Sequence, residues 1–590
     1  MRHNPYIFLV RQAWNFVAPQ RGRMVLVYAL CITANIVLLF QPWAFGKIVD
    51  LLQLPPSDLL PQLMSWCAIY CGLVLVFWCF HGPARIMERR LAFVIFRNFT
   101  NHYYAKIMAL PLRWHQDHHS GATINRISKA GQALDTFAGE QFIIIQSAVR
   151  YIGTLAALCY YAPIIAAGTF LLTGSAFVFS LWMDKTHLIP LYQRVNEYDH
   201  RVKAGLFDYI SNIVTVITLR LTRSTQDEID ARIGAVRTAR WREITLNEMK
   251  WCVGFITVSI TQILMLLLYV TTHMNTGSVM ALGPVVAIFQ YLVIINQLFF
   301  QFMLSYQNYV RWQTDVRAVD GIAADFSALP PRPETDVPTA WQHLSIRSLT
   351  FAHQKHDKHG HGLQQVDLDI PQGRKIALVG SSGAGKTTLL TLLRGLYDPQ
   401  SVTLTRDGEN FADLRPLAAL TTLVPQDAEI FENTIHYNLT LDIAVPDEIV
   451  AAALHITTFD KVVERLPHGL ATDIRERGVN LSGGQKQRLA LTRGLIAAQT
   501  ASLLLLDEPT SHVDITTENL IFDRLFTAMA AKAMIVSVHR LHLLPRFDWI
   551  CFMQNGKIVQ QGTFTALNVT PGPFRDLWQQ HQAHHAHKTR

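Results

Sequence analysis

Gly380-Ser381-Ser382-Gly383-Ala384-Gly385-Lys386-Thr387-Thr388 lies between an apolar stretch and a Leu-rich one. That spacing is a phosphate cradle, because glycines let backbone N–H groups curl around an anion with no Cβ in the way. A helix beginning there adds its positive end. All nine residues are expected to contact a nucleotide, with Lys386 reaching the β- and γ-phosphates and the Thr387 hydroxyl holding Mg²⁺. A second cluster follows four leucines, Leu503 to Leu506, as the pair Asp507-Glu508. A buried strand there would present both carboxylates beside the phosphates. Asp507 suits the Mg²⁺ shell, and Glu508 suits polarising an attacking water.

The third element is Leu481-Ser482-Gly483-Gly484-Gln485. A serine and two glycines opening a helix leave N–H groups for an anion. This pentapeptide resembles the signature sequence of ATP-binding-cassette ATPases. The resemblance implies that Ser482, Gly483, Gly484 and Gln485 meet the γ-phosphate held by the P-loop of a second subunit, so that two ATP molecules join a head-to-tail dimer. It implies further roles in the same order along the chain. Gln426, in Val424-Pro425-Gln426-Asp427, is similar to the Q-loop residue that contacts Mg²⁺ and water. Ser511 to Asp514 matches the D-loop, and His539 matches the switch histidine at the γ-phosphate. The catalytic set is therefore Glu508, His539 and Gln426, and the metal set is Thr387, Gln426 and Asp507. Thr472 to Gly478 resembles the stretch that precedes the signature in exporters and touches the opposite stalk. In Leu349-Thr350-Phe351-Ala352-His353, His353 takes the place of the family's adenine-stacking tyrosine, with Phe351 as the alternative. His512 and Arg475 replace a usual small residue and a usual glycine, and neither change removes a catalytic group.

These residues need elements to hold them, and 590 residues exceed one ordinary core. Half the residues are hydrophobic and 16% are charged, with the apolar excess in the first part. A membrane span needs about 20 mostly apolar residues. Six runs qualify, near Met24–Ile48, Leu59–Phe80, Phe142–Tyr160, Ala162–Met183, Val253–Thr272 and Pro284–Leu304. From Trp251 to Val310 there is no Asp, Glu, Lys or Arg. The short intervals between spans lack Lys and Arg, whereas the two long ones are basic, which places the long intervals and both termini in the cytoplasm. Those intervals are helix-compatible and predict stalks, with tips near Pro111–Gly121 and Asp208–Thr218. A Pro-rich stretch then leads to alternating strand-like and helical runs. The expected domains are a six-helix transmembrane domain over 1–327, a linker over 328–340, an α/β P-loop ATPase domain over 341–578 and a His-rich tail over 579–590.

A net charge of +8 is accounted for by cytoplasmic loops, so no nucleic-acid partner is expected. The seven cysteines show no CxxC pair or metal-ligand spacing, and they read as free thiols. Neither His353–His361 nor His581–His587 has the spacing of a defined metal site, so they read as a polar loop and a tail. The N-terminus lacks a signal peptide's short apolar region and cleavage site, and no peptidase domain precedes the first span. Six spans, stalks and one C-terminal cassette make the chain similar to exporter-type half-transporters, the group of bacterial lipid flippases, multidrug pumps and peptide exporters. The resemblance implies an integral protein of the bacterial inner membrane, its ATPase domain in the cytoplasm, using ATP and Mg²⁺. Intact motifs favour a homodimer. Nearly charge-free spans favour an apolar or amphipathic cargo. A soluble repair-type cassette ATPase would lack the spans; an importer-like or ATP-gated use of the architecture stays open.

Overall fold

Hydrocarbon offers no partner to a backbone N–H or C=O, so long apolar runs must close their hydrogen bonds within helices. The computed structural model describes residues 4–53, 56–118, 120–274, 281–329, 340–352, 362–474 and 481–588. Among them six helical segments are long and apolar enough to span a membrane: Arg21–Leu51, Leu59–Ala109, Thr123–Tyr161, Pro163–Ser211, Thr222–Met274 and Leu282–Ser327. The chain is an integral membrane protein. Two of its helices have 54 and 53 residues. At 1.5 Å per residue each is ~80 Å long, far more than the ~30 Å hydrocarbon core, so they continue as stalks.

Chain contacts divide the protein into one unit of Met1–Leu110 with His118–Leu329, and a second of Pro111–Asp117 with Pro330–Arg590. The first unit contains α1 (Pro5–Phe16), α2 (Arg21–Leu38), α3 (Gln41–Leu51) and α4 (Pro56–Ala109). Next comes α5 (Leu112–Asp117), which clusters with the second unit, where the Tyr397 hydroxyl donates to Gln116 Oε1 at 2.8 Å. The first unit resumes with α6 (Ser120–Gly139), α7 (Gln141–Tyr161), α8 (Pro163–Met183), α9 (Ile189–Ser211), α10 (Ile213–Thr218), α11 (Thr222–Met274), α12 (Leu282–Arg317) and α13 (Asp320–Ser327). Breaks between α4 and α6 and at α10 fall at the expected stalk tips.

One span differs from its sequence pattern. The run predicted as one helix over Met24–Ile48 divides at Leu39 and Phe40, between α2 and α3. Pro42, in the first turn of α3, has no N–H to continue the ladder. That N–H would have served the Leu38 carbonyl, four residues back; the neighbouring Leu39 carbonyl accepts from the Tyr291 hydroxyl of α12 at 3.0 Å. The join between α3 and α12 is close: a Cβ on Gly46 would sit 2.7 Å from the Gly283 carbonyl oxygen. Asp50 Oδ1 accepts from the Gly283 N–H at 2.6 Å, capping α12.

Between α8 and α9 the helix widens to a π turn over Asp184–Leu188. Asp184 Oδ1 there lies 2.8 Å from Lys250 Nζ of α11, and both side chains are buried. Gln307 Nε2 of α12 reaches Asp184 Oδ1 and Asn247 Oδ1, each at 3.4 Å.

The second unit is built on a six-stranded sheet in the order β10-β9-β3-β8-β7-β6. Its strands are β3 (Lys375–Val379), β6 (Thr421–Val424), β7 (Leu503–Asp507), β8 (Ala533–Ser537), β9 (Trp549–Gln554) and β10 (Lys557–Gly562). β6, β7, β8, β3 and β9 pair in parallel, and only β10 is antiparallel. Every residue of β3, β7 and β8 is buried, as expected for parallel strands covered on both faces. A four-stranded antiparallel sheet, in the order β2-β1-β4-β5, holds β1 (His343–Ala352), β2 (Gly362–Pro371), β4 (Ser401–Arg406) and β5 (Glu409–Phe411). The predicted linker over 328–340 falls mostly outside the described residues.

The buried pair yields a stability test. Lys250→Met leaves Asp184 as an unpaired buried charge and should destabilise the protein by about 3–5 kcal/mol. Lys250→Met combined with Asp184→Leu should recover most of that loss, because both desolvated charges are then gone. Thermal midpoints of the purified single and double variants check this, and a double variant no better than the single one would disprove it.

Candidate nucleotide site

Parallel strands end at one edge, so the loops leaving them converge. β3 delivers the glycine-rich loop, followed by helix α14 (Lys386–Leu393). Gly385 adopts φ +101°, where a side chain is strained, and a Cβ there would meet Leu363 Cδ2 at 2.8 Å. Lys386 Nζ folds back onto the Gly380 and Ser381 carbonyls at 2.8 and 3.2 Å, which fixes the loop's curl. Burial pulls the Lys386 ammonium below the ordinary lysine range, and the Glu508 and Asp507 carboxylates push it back up.

Three further strand ends supply the acid cluster. Glu508 follows β7 with φ +47°, a left-handed conformation uncommon outside glycine and found where a site holds a residue under strain. Gln426, beyond β6, donates from Nε2 to Glu508 Oε2 at 3.1 Å. His539, beyond β8, places Nε2 2.8 Å from Glu508 Oε1. The three residues predicted as catalytic thus meet on one carboxylate. Asp507 is buried, and its Oδ1 has no hydrogen-bond partner among the described residues. A buried carboxylate oxygen without a donor fits a cation ligand.

The cleft above this floor has a volume of about 980 Å³. The sequence-predicted residues Ser382 to Thr388, Gln426, Glu508 and His539 line it. Gly380 and Ser381 lie in the loop behind the lining. Ser482, Gly483, Gly484 and Gln485 lie elsewhere in the chain. Ser482 caps the helix Gly483–Ala497, accepting from the Gln485 N–H at 3.3 Å, while Gln485 Oε1 accepts from the Ser482 N–H at 2.8 Å. His353 and Arg475 to Gly478 lie outside the described residues. Phe351, the alternative to His353, is buried at the core of β1.

Several contributors carry no strong sequence signal of their own. Gln487 donates from Nε2 to the Glu508 carbonyl and to Ser511 Oγ, both at 2.8 Å, and its Oε1 accepts from the His512 N–H at 2.8 Å. Arg540 spans the same segment, donating to the Val513 and Ser511 carbonyls at 2.6 and 3.0 Å. The β9–β10 turn, Asn555-Gly556, has positive φ at both residues. The Gly556 N–H donates to the Ala384 carbonyl at 3.1 Å, bracing the glycine-rich loop. An Asn-Gly pair is a readable hairpin signal, although nothing in it names the loop it will touch.

Two family models match the chain: one described as ABC transporter, over residues 363–511, and one described as ABC transporter transmembrane region, over residues 24–299. Over 97% of its length the chain is 24% identical to an uncharacterized ABC transporter ATP-binding protein of Bacillus subtilis, covering 94% of that relative. Over 245 residues it is 40% identical to an ATP-dependent lipid A-core flippase of Chromobacterium violaceum, covering 41% of each protein. A solved bacterial Atm1-family ABC exporter with ATP bound superposes with a TM-score of 0.79, across 96% of this chain and 99% of the other, at 22% identity. That last likeness is one of fold.

Gln487 acts on Glu508 only through the backbone, as a positioning residue. Gln487→Ala should lower kcat roughly 10- to 100-fold, the scale of a small displacement at a reacting centre. Nucleotide affinity should stay within about two-fold, because no cleft-lining group is lost. Steady-state ATPase kinetics and an equilibrium nucleotide titration separate the two. An affinity loss equal to the rate loss would refute the positioning role.

Proposed function

This chain belongs to the ATP-binding-cassette transporters and has the build of an exporter-type half-transporter, and from that premise we propose that it works as a homodimer exporting, or flipping between leaflets, an apolar or amphipathic substrate. It is an ATP-hydrolysing transporter. The observation that carries the proposal is the Glu508 carboxylate held between Gln426 and His539 at the foot of the glycine-rich loop, in a chain with six membrane-length helices.

In this reading the backbone N–H groups of Gly380 to Thr388 and the Lys386 ammonium hold the β- and γ-phosphates of ATP. Lys386 would exchange its loop carbonyls for phosphate oxygens. Thr387, Asp507 and Gln426 would hold Mg²⁺, and the unpartnered Asp507 Oδ1 supports that assignment. Bound there, Mg²⁺ neutralises phosphate charge. Glu508 orients and polarises the attacking water, His539 steadies that carboxylate and the γ-phosphate, and His353 stacks on the adenine. The signature residues Ser482 to Gln485 do not line their own chain's cleft, which supports their use by the cleft of a second copy. Symmetric pairing makes two equivalent composite sites. The basic character of the long intervals supports a cytoplasmic ATPase domain, and the bacterial relatives support an inner-membrane location.

Glu508→Gln should bind ATP normally while its turnover falls by about 10²–10⁴-fold, the usual range for a lost general base. Lys386→Ala should lose nucleotide binding itself, because the phosphates lose their main cationic partner. Near wild-type hydrolysis by the first variant would remove Glu508 from the mechanism, and unchanged affinity in the second would remove the glycine-rich loop.

Assembly is tested by expressing this chain alone and purifying it in lipid nanodiscs. The expected particle contains two copies and hydrolyses ATP without any other gene product. Inside-out vesicles should take up amphiphile only with ATP. A monomer, or a particle inactive until a second protein is added, would defeat the homodimer, and efflux from such vesicles would reverse the direction.

A further inference from the structure

An exposed lysine is ordinarily a solvated surface group with no further role. Lys557 departs from that pattern by its place. It is the first residue of β10, and its side chain lines the nucleotide cleft. The turn that precedes it is fixed against the glycine-rich loop. The Gly556 N–H donates to the Ala384 carbonyl at 3.1 Å, and the Gly556 carbonyl accepts from the Gln364 N–H of β2 at 2.9 Å. A Cβ on Gly385 would sit 3.5 Å from Gly556 Cα, so turn and cradle are in contact. Gly556 itself has no room for a side chain, because the Gly362 carbonyl fills that space. Lys557 therefore leaves a braced hairpin tip directly beside the phosphate cradle.

Among the described residues no carboxylate pairs with Lys557, which is exposed. The cleft has a use for that charge. Its lining sets the Lys386 ammonium against the Glu508 carboxylate, and Asp507 is buried next to Glu508 in the chain. Without Lys557 the fixed charge around the phosphates would be negative. A nucleoside polyphosphate stays anionic even when Mg²⁺ neutralises part of its charge. The strand carries a second cue. Val559, two residues on, lines the same cleft and is 44% exposed, whereas Ile558 between them packs on the core. Residues i and i+2 of a strand share a face and lie about 6.6 Å apart. Leading away from the cradle, this face of β10 thus presents a cation and then an apolar group. A nucleotide leaving the cradle presents its α-phosphate and then its sugar and base.

We propose that Lys557 is a second phosphate-binding cation of this site, holding the α-phosphate of the nucleotide bound in its own chain, with Val559 against the sugar. This rests on the reading of the cleft as an ATP site and adds β10 to the groups that bind there. An ammonium on a four-carbon stem suits the task, because it meets a phosphate as a point charge and needs no fixed orientation. Contact with the α-phosphate does not depend on the γ-phosphate. Lys557 therefore holds ATP and ADP alike, whereas Glu508 and His539 act at the γ-phosphate. It sets how firmly the diphosphate product is retained after hydrolysis.

The test is an equilibrium titration of the full chain in lipid nanodiscs with Mg²⁺, using ADP and the non-hydrolysable imido analogue of ATP. Lys557→Gln should weaken both ligands about ten-fold, the scale of one charge-assisted hydrogen bond. Lys557→Arg should stay within about three-fold of the wild type, since the point charge is kept. Lys557→Glu should bind more weakly than Lys557→Gln. Thermal midpoints without nucleotide should match the wild type in all three, because the side chain is exposed. Unchanged affinity in Lys557→Gln overturns the proposal. A loss confined to the ATP analogue would move the ammonium to the γ-phosphate and overturn it too. So would an equal loss in Lys557→Arg, or a lowered midpoint in Lys557→Gln, each of which would make the effect one of packing. Lys386→Ala separates this from the parent reading. Lost binding there, with Lys557→Gln unchanged, sinks the second cation and leaves the ATP site standing. Wild-type affinity in Lys386→Ala, with a loss in Lys557→Gln, sinks the role of the glycine-rich loop and leaves Lys557.

Discussion

Burial of both faces of a parallel sheet is the constraint on which the ATPase unit depends. β3, β7 and β8 have no side chain in solvent, so they can carry almost no chemistry within their lengths. Polar residues can appear only where the strands end, and parallel pairing sends those ends to one edge. That is why residues scattered from Ser382 to His539 meet in one cleft. The same constraint sets the conformation of Glu508. The chain must turn sharply out of β7 immediately after Asp507, and Glu508 takes the left-handed backbone that the turn demands. Strain of that kind persists only when neighbours hold it, and Gln487 does so through the Glu508 carbonyl.

Gln487 also ties two loops into one piece. It belongs to the helix that Ser482 opens, yet its amide holds the carbonyl of Glu508, the hydroxyl of Ser511 and the N–H of His512. A displacement of the signature helix would therefore be felt at the backbone of Glu508 in the same chain. Arg540 adds a second brace, joining the residue after His539 to the carbonyls of Ser511 and Val513. The three loops of the acid cluster are thus tied to one another as well as to the sheet.

Much of this was legible in the sequence, for a physical reason. The glycine-rich loop, the Asp507-Glu508 pair and Ser482 to Gln485 are contiguous, and each motif's chemistry follows from residue types at fixed spacing. The six spans were legible because apolar length leaves the backbone few alternatives. Gln487, Arg540 and Asn555-Gly556 were not, since their partners are backbone atoms far along the chain and a carbonyl has no residue type. Pro42 was visible, but α4 continues through Pro83, so a proline in a span does not by itself announce the break found between α2 and α3.

The Lys250–Asp184 pair has a consequence for how the protein is made. The two residues lie 66 positions apart, so during synthesis Asp184 leaves the ribosome well before the lysine that neutralises it. The helix ending at Met183 then arrives at the insertion machinery with an uncompensated carboxylate at its edge. It gains a settled place in the lipid only when α11 brings Lys250 alongside. The final packing of the fourth span is thus conditional on the fifth, because Asp184 has its charge partner only once α11 lies beside it.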